Sequence, residues 1–353
     1  MTHLSKAALD QFLAVIKNAD NTFLDPEKNL DAQGKVDGYQ HLFHLLHATI
    51  EFYLFNDPLK PSFMLLADKH KKFLGDNVDA VYYFTQLRGD QEYIIRGQRF
   101  DSCYLSFSLY GGDEIGGIVE EVTNNINHTH IEFEEDGSFE IKLTPNPQSK
   151  NEFKLDQHVV SLFTREYFFD RFNSKESTLS IENINPDVDL VSPLTDEELA
   201  RRIEHMTTFF ETSTWVAPLP VEFPTNAFLP PFPFEADQGG YGTVDNIYCF
   251  GKFDLEPHQY LKIHFTAPPC CYWGMQTWNY LMQSMDYDKF PVCINKGTAK
   301  ANEDGSYTIY LSHQPMEVDN WISTANYKEA IIFCRWLLAE GEPETPQVEV
   351  LEL

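Results

Sequence analysis

The chain has 353 residues, 42% hydrophobic and 14% aromatic, which is enough apolar material for two packed domains and unlike a disordered composition. Its 54 acidic and 26 basic side chains leave a formal charge of −28, which repels phosphate backbones and anionic headgroups and argues against nucleic acid and membrane surfaces as partners. That acidity serves solubility or, more specifically, attraction of a cationic substrate.

In chain order, Leu4, Ala8, Phe12 and Ile16 recur at helical spacing, with Lys6, Asp10 and Lys17 interspersed as no secretory signal would have them. No stretch reaches the roughly 20 apolar residues needed to cross a bilayer, so a cytoplasmic protein is expected. A second helical run covers 39–55 and is broken by Pro58 and Pro61. Its His41, His44 and His47 lie three apart, with Glu51 four further on. Rotation of about 100° per residue puts His44, His47 and Glu51 on one face, with His41 to the side. A metal there would need ligands from elsewhere; otherwise the helix packs its imidazoles against the rest of the fold.

From Val78 the pattern changes to short β-branched and aromatic runs separated by Gly and Asp turns, the mark of a β-sheet domain. Within it, His128 and His130 would project from a strand on the same face as Glu132 and Glu134, a half-site for zinc, iron or manganese or else a solvated polar face. A helix over 195–208 is expected from the capping signal of Ser192-Pro193 and Thr195 with Glu198. The proline-rich stretch after it reads as an extended linker packed along the surface, and Gly239-Gly240-Tyr241-Gly242 as a flexible loop entering a second sandwich.

The rest of the chain repeats the middle of it. DAVYYF at 79–84 matches DNIYCF at 245–250, an offset of 245 − 79 = 166. Cys103-Tyr104 matches Cys271-Tyr272 and Ile126-Asn127 matches Ile294-Asn295, both at 168; EEDGSFEIKLTP at 134–145 matches NEDGSYTIYLSH at 302–313, again at 168. LFTREY at 162–167 matches IFCRWL at 332–337 at 170. Matches in one order with a slowly drifting offset mark an internal duplication, each unit the size of one sandwich, with Asp-Gly as a hairpin signal. The division is then a helical segment over 1–77, a first β-sandwich over 78–190, a helix and linker over 191–243, and a second β-sandwich over 244–353.

The segments CCYWGMQTWNYLMQSMDYD, DGSYTIYLSHQP and DNWISTANYKEAIIFCRW of the second module resemble the domain of unknown function 1214 family over roughly 220–340. The resemblance implies a jelly-roll-like β-sandwich and no particular reaction; it departs from the family pattern at Tyr327, where a histidine is usual, and at Glu329, where a glycine is.

Candidate chemistry concentrates in the second module. His313 is placed as a general acid or base, Asp286 as its orienting carboxylate, and Arg335 as a clamp for an oxyanion or carboxylate. Trp273 and Trp278 could stack a ring while Asn279, Tyr287, Asn320 and Trp321 line a mouth; alternatively the tryptophans are core and Asn320-Trp321 a turn. The duplication acts as an internal control. Arg165 coincides with Arg335 and so leans structural, whereas His313 faces Pro145, Trp273 faces Leu105, and His128 and His130 face Lys296 and Thr298. The six cysteines form no metal-type CxxC pairs and read as reduced and mostly buried. GxSxG, GxxxxGK[ST] and HExxH are all absent.

The leading expectation is a cofactor-independent acid–base enzyme acting on a small apolar or ring-containing molecule at the second sandwich. Its alternatives are a non-catalytic binder of a small molecule or carbohydrate, and a metal-dependent enzyme using His128 and His130. No metal is assigned in the leading reading, and homo-oligomerisation is left open.

Overall fold

The computed structural model describes residues 3–185, 193–218 and 222–353, so Ser192 of the expected capping signal lies outside the described residues. The chain opens with α1 (Leu4–Asn18), α2 (Asn21–Leu24) and α3 (Ala32–Thr49), the last running on as a π-helical turn over Ile50–Phe55. Asp31 caps α3 by accepting from the Gly34 N–H at 2.7 Å.

The first module comprises β1 (Met64–Leu65), β2 (Ala80–Gln86), β3 (Tyr93–Gln98), β4 (Tyr104–Gly111), β5 (Glu121–Asn127), β6 (Ser138–Thr144), β7 (Glu152–Lys154), β8 (Val159–Tyr167) and β9 (Thr178–Asn183). Then come α4 (Asp196–Val216), β10 (Ala227–Phe228) and β11 (Phe232–Pro233). The second module holds β12 (Asn246–Asp254), β13 (Gln259–Phe265), β14 (Tyr272–Trp278), β15 (Cys293–Asn295), β16 (Tyr307–Ser312), β17 (Trp321–Ser323), β18 (Glu329–Leu337) and β19 (Gln347–Glu352). One sheet of the first module runs β1-β2-β8-β4-β5 and its partner β7-β6-β3-β9; the second module repeats these as β10-β12-β18-β14-β15 and β17-β16-β13-β19. Even the unusual parallel pairing is copied, β7 on β6 and β17 on β16. The duplicated, mainly β architecture of two tandem sandwiches is therefore present, with β11, paired to β12, as an addition to the second copy.

Each sandwich closes over its own apolar core. Ile95, Phe107, Ile141 and Leu162 fill the first, and Ile263, Met275, Ile309 and Ile332 fill the second. In β9 the burial alternates, as it must for an outer strand with one wet face. Strands β4 and β14 are buried at every position, because the other face of the β2-β8-β4-β5 sheet is also covered. On that face Tyr82, Tyr104, Phe163 and Tyr167 join a further core with Phe12, Phe52, Phe209 and Phe210 of the helices. Phe52 stacks on Phe84 with ring centroids 4.2 Å apart.

Three expectations change here. The helix expected over 195–208 extends to Val216, capped by Thr195 accepting from the Glu198 N–H at 3.1 Å. The linker does not merely lie on the surface: β10 and β11 both pair with β12 and extend the sheet of the second module. The Asp-Gly turns form, with Gly137 at φ 82° and Gly305 at φ 84°, but they do not join paired strands, since β5 and β6 belong to different sheets. Among the described residues no helix is long and apolar enough to cross a membrane.

Candidate functional site

The two modules meet through their doubly covered sheets, and the contacts are reciprocal. The Tyr104 hydroxyl donates to Asp245 Oδ2 at 2.7 Å and the Tyr272 hydroxyl donates to Asp79 Oδ2 at 2.7 Å. Asn127 Nδ2 donates to Asp245 at 2.8 Å and Asn295 Nδ2 to Asp79 at 2.9 Å. Residues that correspond by the sequence offset thus exchange partners across the seam, which is the signature of a two-fold, isologous contact. Burial raises the Asp79 carboxyl above its ordinary value, while its bonds to Tyr272, Asn295 and Cys293 act in the opposite direction.

Beside this seam lies a cavity of about 380 Å³. The first module contributes Tyr82, Phe163 and Arg165, and the second Tyr248, Phe250, Trp278, Phe333 and Arg335. Phe73, Leu74 and Gly75 of the N-terminal segment close one side, and Leu229, Phe232, Phe234 and Tyr241 of the linker another. Alternation places these residues: in β8, Phe163 and Arg165 leave the sheet on the face opposite Leu162, and in β18, Phe333 and Arg335 do so opposite Ile332 and Cys334.

The two arginines are 5% and 4% exposed, and among the described residues neither forms an ion pair with a carboxylate. Arg335 Nη1 donates to the Tyr167 hydroxyl at 2.6 Å and Nη2 to the Gly75 carbonyl at 3.2 Å. Arg165 Nη1 donates to Ser108 Oγ at 2.9 Å, and its Nη2 to the Tyr110 hydroxyl at 2.7 Å and the Tyr241 carbonyl. Gly75 and Tyr241 correspond at the offset 241 − 75 = 166, so the reciprocity extends to the cations. The Arg335 guanidinium carbon sits 4.7 Å from the Phe333 ring centroid and 5.8 Å from that of Trp278. Burial pushes the Tyr167 phenol up, but the Arg335 charge against it, helped by Arg165, outweighs that and leaves it below its ordinary value.

Of the residues given catalytic or substrate-binding roles from the sequence, two line this cavity, Arg335 and Trp278. Trp278 stacks on Phe333 at 4.1 Å and its indole N–H donates to the Asp76 carbonyl at 2.8 Å. Trp273 lies inside the second sandwich against Phe265 and Tyr307. His313 is bound within the fold on both sides of its ring, Nε2 to the Leu255 carbonyl at 3.0 Å and Nδ1 to Thr324 Oγ1 at 2.8 Å. Asp286 pairs instead with Lys289 on the surface at 2.7 Å. Asn279 and Asn320 organise turns, the first accepting from the N–H groups of Leu281 and Gln283 and the second clamping Lys300 and Thr308. Trp321 donates to Ser312 Oγ at 2.8 Å, and the Tyr287 ring lies under Lys72 Nζ at 4.0 Å.

The histidine pair does not stand on a strand. β5 ends at Asn127 and residues 128–130 turn, so the alternation that would align His128, His130, Glu132 and Glu134 is broken. His130 Nδ1 accepts from the Asn127 N–H at 3.2 Å, Glu132 pairs with Lys150, and burial brings His128 down to about 4. Among the described residues no group of three or more His, Cys, Asp or Glu is arranged to hold a metal ion. On α3, His41 is buried against Gln283 Nε2 at 2.9 Å and His44 Nδ1 faces the Lys72 N–H, so these two imidazoles pack inward, whereas His47 is exposed and lies 3.3 Å from the Glu51 carboxylate. All six cysteines are free thiols.

Sequence reasoning names Arg165 but reads it as structural, and it passes over Tyr82, Phe163 and the linker rings as parts of a site. The signal is on hand: Arg165 and Arg335 are the shared pair, and both line the cavity because the copies face each other.

Residues 252–340 match the family model described as a protein of unknown function, DUF1214. The resemblance read in the second module is therefore shown over most of that module. The whole chain is similar in structure to an uncharacterised protein from Burkholderia cenocepacia, at TM-score 0.89 and 26% identity, covering 99% of this chain and 98% of that one. It is more distantly similar to the VPA0106 protein from Vibrio parahaemolyticus, at TM-score 0.52 and 16% identity over 90% of this chain and 98% of that one, a likeness of fold alone. No curated protein matches the chain.

Proposed function

We propose that this chain binds a small, largely apolar molecule in the cavity between its two modules. The observation that carries the reading is the cavity itself: about 380 Å³, walled mostly by rings from both modules and the linker, with a few convergent polar groups. That size and lining are those of a small-molecule site rather than a packing defect, which would be smaller and lack polar groups. Acid–base turnover at His313 and Asp286 gains no support from the geometry, since both histidine nitrogens serve the fold and Asp286 pairs elsewhere. The turn at His128 and His130 likewise lends nothing to metal chemistry.

N-phenyl-1-naphthylamine, an uncharged dye that brightens on leaving water, tests the reading directly. Saturable binding at one site is expected, and Leu229→Trp, which fills the cavity from the linker side, should weaken it at least tenfold. Dye binding that ignores this substitution, or no binding at all, would overturn the proposal.

A further inference from the structure

Resting on the cavity reading above, we infer that the ligand is an anion: a small aryl or alkyl carboxylate whose carboxyl group is held by Arg165 and Arg335. Both guanidiniums remain protonated at any ordinary pH, and both are more than nine-tenths buried. A buried charge is costly unless it is matched by opposite charge. Here the partners are phenols, carbonyls, a serine hydroxyl and ring faces, which supply dipoles but no net negative charge. Asp79 is the carboxylate whose field reaches Arg335, yet it is bonded to Tyr272 and Asn295 and forms no ion pair with the guanidinium. Asp76, at the cavity wall, is engaged by the Ser284 N–H and hydroxyl.

The guanidiniums also have donors to spare. Arg335 spends its hydrogen bonds on Tyr167, Gly75 and, at 3.5 Å, Tyr82, all through Nη1 and Nη2; each guanidinium has five N–H groups in a planar fork that matches the two oxygens of a carboxylate. The aromatic walls take the rest of the ligand. The formal charge of −28 opposes such an anion at long range, so recognition has to be local and the approach should be slowed by the protein's own field.

The test compares 3-phenylpropionate with its uncharged amide, 3-phenylpropionamide, each displacing N-phenyl-1-naphthylamine from the wild-type protein. The acid should bind at least tenfold more tightly, its association rate should rise with added salt while that of the amide does not, and Arg335→Gln should erase the preference that Arg335→Lys partly keeps. Because the wild-type comparison needs no substitution, a misfolded arginine variant does not spoil it. Equal affinity for acid and amide would overturn the anion inference and leave the cavity reading standing. Dye binding that neither compound displaces would overturn it as well. Failure of the dye itself to bind would remove both.

Discussion

Protonating His41 should loosen the joint between α3 and the second module, because that imidazole is buried and bonded to Gln283. Burial, with a smaller push from His44, lowers it from 6.5 to about 3 in the folded chain. Above pH 6.5 it is neutral in both states; below, the unfolded chain gains a proton that the folded one refuses, so stability falls as pH drops from 6.5 toward 3. At pH 5, 1.5 units into that window, the loss is about 2 kcal/mol at roughly 1.4 kcal/mol per unit. Urea unfolding of the wild type and His41→Gln at pH 7.5 and 5.0 should show a smaller pH-dependent loss in the variant by that amount. Asp37 and Asp79, raised chiefly by burial, act in the opposite sense by stabilising the fold as pH falls, and they cancel in the comparison.

At the scale of elements, the linker is where sequence and structure part most. Proline density suggested a surface strap, but density of rings in the same stretch was the more telling signal, since exposed Phe232 and Phe234 would have had no reason to be there. Helices and strand identities were legible because periodicity is local. The face of β8 and β18 that carries Arg165 and Arg335 was not, because both faces of those strands are buried and alternation no longer distinguishes inside from outside. Gly242 shows how tightly the linker is fitted: a methyl group there would lie 2.3 Å from the Phe234 ring. Gly242→Ala should drive that ring toward the cavity, weakening dye binding roughly tenfold and costing about 1–3 kcal/mol of stability. Dye affinity unchanged in a folded variant would show that Phe234 has another way to move.

For the whole molecule, the duplication was legible as repeated words in the sequence, while the arrangement of the copies was not, since an offset says nothing about how two units face. The repeated aspartates Asp79 and Asp245 lay in the first matching pair, and their role appears only when each is seen to bind the other copy's tyrosine and asparagine. Asp79→Ala and Asp245→Ala should each cost about 3 kcal/mol, because each strands donors from Tyr and Asn in a buried seam. The two losses should be similar and should lower one common unfolding transition seen by calorimetry. Two separated transitions in the wild type would show that the modules are not coupled as the reciprocal bonds require.

A cavity on a two-fold axis between identical subunits must look the same from either end, and a ligand there cannot be told head from tail. Joining the copies in one chain removes that restriction. Here Tyr110 corresponds to Trp278 and Tyr167 to Leu337, at offsets of 168 and 170, so a phenol on one half is replaced by an indole or an alkyl group on the other. Tyr167 therefore supports Arg335 with a hydroxyl that Leu337 cannot offer to Arg165. Fusion has given the chamber a direction, and with it the means to hold an unsymmetrical guest one way round.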